Sequence, residues 1–142
     1  MNEEVVTVEM DDTLAEIRKI FQQVKFHHLL VVSGGKLLGV ISDRDFLQAV
    51  SPNLGTMSEK TSDLATLQKR AHQIMTHHPI TVLPDMGVAD AAQLLLAKDI
   101  SCLPVVSEEN DIRGIVTWKD LIKALLDNRA DASSFRPRQG SN

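Results

Sequence analysis

The feature that most limits what this chain can fold into is a copy of its own first half. Thr81 stands 74 residues after Thr7, and the same 74 separates Asp85 from Asp11, Leu103 from Leu29 and Val105 from Val31. From Gly39 to Gly114 the separation is 75, so one residue has been added on the way. It falls in a turn, Gly34-Gly35 in the first copy and Glu108–Asp111 in the second. Turns tolerate insertions better than the elements they connect. A constant offset with one turn-placed slip therefore marks a duplicated structural unit.

Each copy reads as β-α-β-β-α. Val5–Val8 is a β-branched run, and Asp11-Asp12-Thr13 offers helix-start chemistry. Leu14, Ile17, Ile20, Phe21 and Val24 recur at helical spacing, which predicts a helix from about Thr13 to Lys25. Leu29–Val32 has the character of a buried strand, Gly34-Gly35 of a turn, and Leu37–Ser42 of the returning strand. Asp43–Val50 continues as a short helix, closed by Ser51-Pro52-Asn53-Leu54-Gly55. In the second copy the matching pieces are Ile80–Val82, Asp85–Lys98, Leu103–Ser107 and Ile112–Thr117. Residues 51–62 read as a linker and Asp63–Met75 as a connecting helix.

The expected fold is α+β, with repeat 1 over 1–50, linker and connecting helix over 51–74, and repeat 2 over 75–128. Residues 129–142 are poor in apolar side chains, and a disordered tail is expected there. A lone unit of roughly fifty residues buries too little surface to be comfortable. The two copies should therefore pack through their sheets with pseudo-twofold symmetry, leaving two equivalent clefts. Apolar surface left on the amphipathic helices would favour a homodimer of such pairs. Met1 falls opposite Met75, with nothing before it to match the helix ahead of Met75. Either the natural chain starts abruptly or it is cut from a longer one, and the second alternative is the slightly favoured expectation.

Composition removes several functional classes. Net charge is −4 and the basic residues are scattered, so a nucleic-acid partner is not expected. Aromatics make up 4% of the chain, with no Tyr, which speaks against a single-strand stacking platform. No apolar run is long enough for a membrane span, and no secretion signal is recognisable. The single cysteine, Cys102, fits a reducing, cytoplasmic setting.

Chemistry concentrates in two echoed stretches, Gly39-Val40-Ile41-Ser42-Asp43-Arg44-Asp45 and Gly114-Ile115-Val116-Thr117-Trp118-Lys119-Asp120. Each reads as a strand end, a hydroxyl at a helix start and an acid three residues further on. Free N–H groups and the helix dipole favour an anion at such an entrance. A carboxylate there does not suit phosphate, but it can accept hydrogen bonds from sugar hydroxyls. Two nucleotide-like half-sites follow. The plainer reading is an N-cap with an acid in the first helical turn, contributing roughly 1 kcal/mol and 0.3–1 kcal/mol respectively. Recurrence at one register tips the balance towards the nucleotide role.

These residues resemble the cystathionine-β-synthase (CBS) domain family, arranged as a tandem pair or Bateman module. The resemblance rests on Met75-Thr76 before Pro79-Ile80-Thr81-Val82, on Leu103-Pro104-Val105-Val106, and on both Gly-h-h-Ser/Thr-x-x-Asp stretches (h, hydrophobic). It covers about residues 1–128. It implies a regulatory sensor without catalysis that binds an adenosine-containing ligand between the repeats. AMP, ADP and ATP are the leading options and S-adenosylmethionine a further one. By the same resemblance Asp45 and Asp120 would hold ribose hydroxyls, with Ser42 and Thr117 near ribose and phosphate. Arg44 and Lys119 would meet phosphate, and so would His28. Thr7, Ile80 and Thr81 would line the adenine pockets, together with Val6.

Departures from the pattern make the two sites unequal. Val5 stands where the second copy has Pro79, and Leu30 where it has Pro104. Glu3, Glu4 and Asp43 would repel a polyphosphate in the first copy. Ser101 and Cys102 take the places of His27 and His28 in the second. The cleft of Asp120 is the one expected to be occupied more readily. The alternative is a structural dimerisation module with vestigial, non-binding clefts.

Other chemistry is weaker. Adjacent histidines point to opposite sides of a strand, so His27-His28 and His77-His78 make poor metal sites, and no metal is expected. Cys102 precedes a buried strand and reads as a small core residue. No nucleophile-base-orienter set, Walker loop or dinucleotide fingerprint stands out, so an enzyme is not expected.

Overall fold

The structure is a computed structural model that describes residues 5–132, with side chains described as far as 127. In the first half, β1 (Thr7–Glu9) is followed by α1 (Leu14–Gln23), β2 (His28–Ser33), β3 (Lys36–Ser42) and α2 (Asp43–Ala49). Thr13 caps α1 in a box with Glu16. β1 runs parallel to β2, and β2 pairs antiparallel with β3 through a turn at Gly34 and Gly35, whose φ angles are +57° and +80°. Two successive positive φ values suit glycine and match the twist of a two-residue hairpin.

The second half repeats the order with α5 (Val88–Lys98), β5 (Cys102–Val106), β6 (Ile112–Thr117) and α6 (Trp118–Ala132). Three expectations need correction here. Ile80–Val82 does not form a full strand; Val82 alone bridges to Val105. The helix opens at Val88 rather than near Asp85, with Gly87 in extended conformation as its N-cap. The last helix runs on to Ala132, past the boundary expected at 128, and the remainder of the anticipated tail lies outside the described residues.

The connecting segment also departs from expectation. Instead of one helix over Asp63–Met75, it comprises α3 (Thr61–Leu64), a 3-10 turn (Ala65–Gln68) and α4 (Ala71–Ile74). Between the turn and α4 the backbone is extended and bridges Arg70 to Thr13. The break has a packing cause: Leu67 and Ala71 drop into the core of the first half, where both are buried. The chain then adds β4 (Thr76–His77) to the free edge of β3, giving a four-stranded sheet in the order β1-β2-β3-β4.

Side-chain alternation explains why the strands read as continuous apolar runs. Leu29, Val31 and Ile41 turn to the core of the first half, while Leu103, Val105 and Val116 turn to that of the second. Residues of the opposite parity, Leu30, Val40, Cys102, Val106 and Ile115, form a third core between the two sheets. The halves thus pack sheet to sheet with pseudo-twofold symmetry. At the hairpin tips they are tied by backbone and side chain. Leu37 N–H donates to the Asn110 carbonyl at 3.3 Å, Asn110 Nδ2 donates to the Leu37 carbonyl at 2.9 Å, and Lys36 Nζ lies 2.7 Å from Asp111 Oδ1.

Candidate functional site

Both helix entrances lie at the end of the sheets away from the pinned tips. His28 is paired with Ser42 across β2 and β3, and Cys102 with Thr117 across β5 and β6. His28 Nε2 lies 2.9 Å from Ser101 Oγ, so the two halves touch here as well. The charge of Asp45 reaches both His28 of its own half and Cys102 of the other. The structure therefore gathers His28, Ser42 and Asp45 with Ser101 and Cys102, and pairs Cys102 in turn with Thr117, whose cap partner is Asp120.

Each hydroxyl and acid is engaged in a reciprocal cap. Asp45 Oδ2 accepts from Ser42 N–H at 2.9 Å while Asp45 N–H donates to Ser42 Oγ at 3.0 Å. Asp120 Oδ2 accepts from the N–H and Oγ1 of Thr117 at 3.0 and 3.2 Å, and Asp120 N–H donates to Thr117 Oγ1 at 3.4 Å. Among the described residues, Oδ1 of either acid has no protein donor and stays available as an acceptor.

The expectation of several free N–H groups needs correcting at the first entrance. Asp43 N–H donates to the His27 carbonyl at 2.9 Å, and Asp45 N–H is taken by Ser42, leaving that of Arg44 open. Among the described residues, Trp118 N–H has no matching bond at the second entrance, so two amides are open there. Asp43 is also drawn aside, its Oδ2 lying 2.9 Å from His27 Nδ1. The second entrance is thus the better disposed towards an anion.

Burial shapes the titrating groups between the entrances. Desolvation pushes His28 below its ordinary value, against the opposing pull of Asp43 and Asp45. Burial pushes the Cys102 thiol up to about 12, with Asp45 adding to it, so this cysteine is a core residue and not a thiolate nucleophile.

Gly39 lies mid-strand in β3. A Cβ there would stand 2.6 Å from Met75 Sδ and 2.7 Å from the Thr76 carbonyl oxygen. The absent side chain is what lets β4 close on β3.

The remaining site residues are more dispersed. Arg44 and Lys119 are exposed on the first turns of α2 and α6. Thr7 pairs with Leu30, two residues along from His28. Ile80 and Thr81 are exposed on the crossing from β4 to Val82. They do not line the cavity beside Asp120, which has a volume of about 160 Å³ and is walled by residues such as Val82, Val88 and Leu121. Ser101 and Cys102 are contributors to the first entrance that the sequence reading passed over, having registered them only as replacements for histidines. The signal that could have found them is the 74-residue offset, which sets Cys102 opposite His28.

Two interlocked β-α-β-β-α units, each with a Ser/Thr-x-x-Asp helix entrance at the same end, define the class: a tandem-repeat α+β module. The family model for the CBS domain matches residues 1–52 and 71–127, and the chain belongs to the CBS domain family. It is 30% identical over 144 residues to protein MJ1426 of Methanocaldococcus jannaschii, covering 85% of this chain and 86% of the relative. It spans only 43% and 47% of two other relatives from that organism. Among solved structures, the CBS domain pair of protein MJ0100 in complex with 5′-methylthioadenosine and S-adenosyl-L-methionine superimposes with a TM-score of 0.71 at 28% identity, covering 87% of this chain and 93% of that one. CBSX2 in complex with AMP superimposes with a TM-score of 0.75 at 25% identity, covering 91% and 94%.

Proposed function

We propose that this chain is a cytoplasmic, non-catalytic regulatory module that binds an adenosine-containing nucleotide between its repeats, with AMP, ADP or ATP ahead of S-adenosylmethionine. The observation that carries this reading is the pair of equivalent entrances at one end of the interlocked sheets, each presenting an acid with a free Oδ1. Asp120 and Asp45 accept from the ribose, Ser42 and Thr117 lie near ribose and phosphate, and Arg44, Lys119 and His28 are the cations for phosphate. Thr7, Ile80 and Thr81 approach the base. The relatives bound to AMP and to S-adenosyl-L-methionine support this ligand class.

The module works as a homodimer. Leu47 on α2 and Ile122 on α6 are equivalent in the repeat, and both are exposed, so each half offers the same apolar position to a second copy. Ligand binding shifts the arrangement of halves or protomers only to the extent that one arrangement binds it better.

Thermal unfolding with each ligand tests the reading. A ligand at about a hundred times its Kd adds roughly 2.7 kcal/mol and raises the midpoint by several degrees. No shift with any adenosine ligand at millimolar concentration would favour the alternative, a dimerisation scaffold with empty clefts. What favours that alternative is the completeness of the two caps, which satisfy hydroxyl and acid without a ligand.

A further inference from the structure

Of the three side chains proposed as cations for phosphate, Arg44 and Lys119 are exposed, whereas His28 sits half-buried on the seam between the halves. Its Nε2 lies 2.9 Å from Ser101 Oγ of the second half, and Ser42 is its partner across the β2–β3 ladder. The second half brings two uncharged groups to this seam, the Ser101 hydroxyl and the Cys102 thiol, which burial keeps protonated.

The charges around the ring come from its own half. Loss of water weighs most heavily against a charged His28, and neighbouring His27 adds to it. Asp43 and Asp45 pull the other way and are outweighed. Both carboxylates are also engaged elsewhere. Asp43 Oδ2 is turned to His27 Nδ1 at 2.9 Å, and Asp45 Oδ2 accepts from Ser42 N–H at 2.9 Å. His28 of the free chain is therefore neutral near pH 7, a ring on a partly dried seam without a counter-ion of its own.

We propose that His28 takes up a proton as a phosphate-bearing adenosyl ligand binds, so that nucleotide binding at the first entrance is tied to pH. This rests on the ligand class proposed above and adds to it how the site is regulated. The ligand's phosphate is the anion that the seam lacks, and it favours the charged ring that desolvation otherwise opposes. The ring nitrogen that carries no hydrogen takes its proton from water or buffer, and no other covalent bond changes. Both ring nitrogens then donate, one of them to the Ser101 hydroxyl or to the phosphate. An adenosyl ligand without phosphate draws no proton, so acid favours AMP over adenosine.

Calorimetry of AMP binding to the full chain, at about pH 7 in phosphate-free buffers of unlike ionisation enthalpy, counts the protons. Uptake of up to about one proton at one site is expected, and none with adenosine. AMP affinity should rise by up to about tenfold between about pH 7.5 and 6.5, while that of adenosine stays level. A phosphate monoester itself titrates at about pH 6, so His28→Gln locates the proton. The variant should take up none; undiminished uptake would put the proton on the phosphate and overturn the proposal. NMR of the His28 ring in the parent chain gives a second measurement that needs no variant: its titration midpoint should rise when AMP is added. An unmoved midpoint, or AMP bound without proton uptake, would overturn the proposal and leave the nucleotide reading standing. Failure of AMP and adenosine alike to bind would overturn both.

Discussion

His28 Nε2 lies 2.9 Å from Ser101 Oγ, and the two residues belong to opposite halves of the chain. The contrast with the other end of the sheets is marked. There the hairpins are held by backbone bonds and an ion pair at Lys36–Asp111, whereas here a side-chain contact spans the halves between the two helix entrances. The entrance end is therefore the less firmly tied of the two, and on the proposed function it is the end a ligand would draw together or prise apart.

That contact makes a pH prediction with a definite sign. Burial lowers the His28 pKa in the folded chain, so the unfolded chain binds more protons as pH falls below about 6.5. The stability linked to neutral His28 is complete above that pH and is lost as pH falls towards the depressed folded value. Melting points between pH 7.5 and 5.5 should decline, and His28→Gln should flatten the decline. An equal slope in the variant would refute the assignment.

Gly39→Ala tests the strand exchange between halves. The new methyl would meet the Thr76 carbonyl oxygen at 2.7 Å, and backbone cannot yield as a flexible side chain can. The expected cost is about 1–3 kcal/mol by urea titration, the usual range for overpacking. Amide exchange should rise at Thr76 and His77 as β4 loosens.

On the proposed function, the ligand roles divide by chemistry. Asp120→Ala removes a cap worth about 1 kcal/mol together with the proposed ribose acceptor, so stability should fall modestly while AMP affinity falls at least tenfold. Affinity within twofold of the parent would remove Asp120 from the site. Lys119→Ala and Arg44→Ala should weaken ATP more than adenosine, and equal losses would deny both a phosphate role.

Much of this architecture is legible in the residues because the repeat supplies two readings of each element. Leu37–Ser42 and Ile112–Thr117 stand out as strand-length, largely apolar runs bounded by turn residues, and their offset locates the inserted residue. What escapes is set by distant contacts. The periodicity over Asp63–Met75 is helical, yet the first core takes Leu67 and Ala71 from an interrupted backbone. Two-residue β4 carries no pattern of its own; its pairing depends on a missing side chain at Gly39. Ser42 and Asp45 could be paired from spacing alone, but the loss of the Asp43 amide to the His27 carbonyl could not. That bond requires β2 and α2 to meet in space.

The two halves also differ in a way that can be engineered. Thr13 caps α1 in a box with Glu16, while its equivalent Gly87 opens α5 with no side-chain bond. Gly87 already has φ −71° and ψ 155°, an extended cap conformation open to any residue. A Cβ there would meet only Asp90 Oδ2, at an ordinary 3.7 Å. Gly87→Ser would place a hydroxyl three residues ahead of Asp90, reproducing the spacing of Ser42 and Asp45. It would also narrow the freedom of the unfolded chain. The gain should be about 0.5–1 kcal/mol, read as a rise of a few degrees in melting point. If Gly87→Ala gave as large a rise, the gain would come from the unfolded chain and not from the cap.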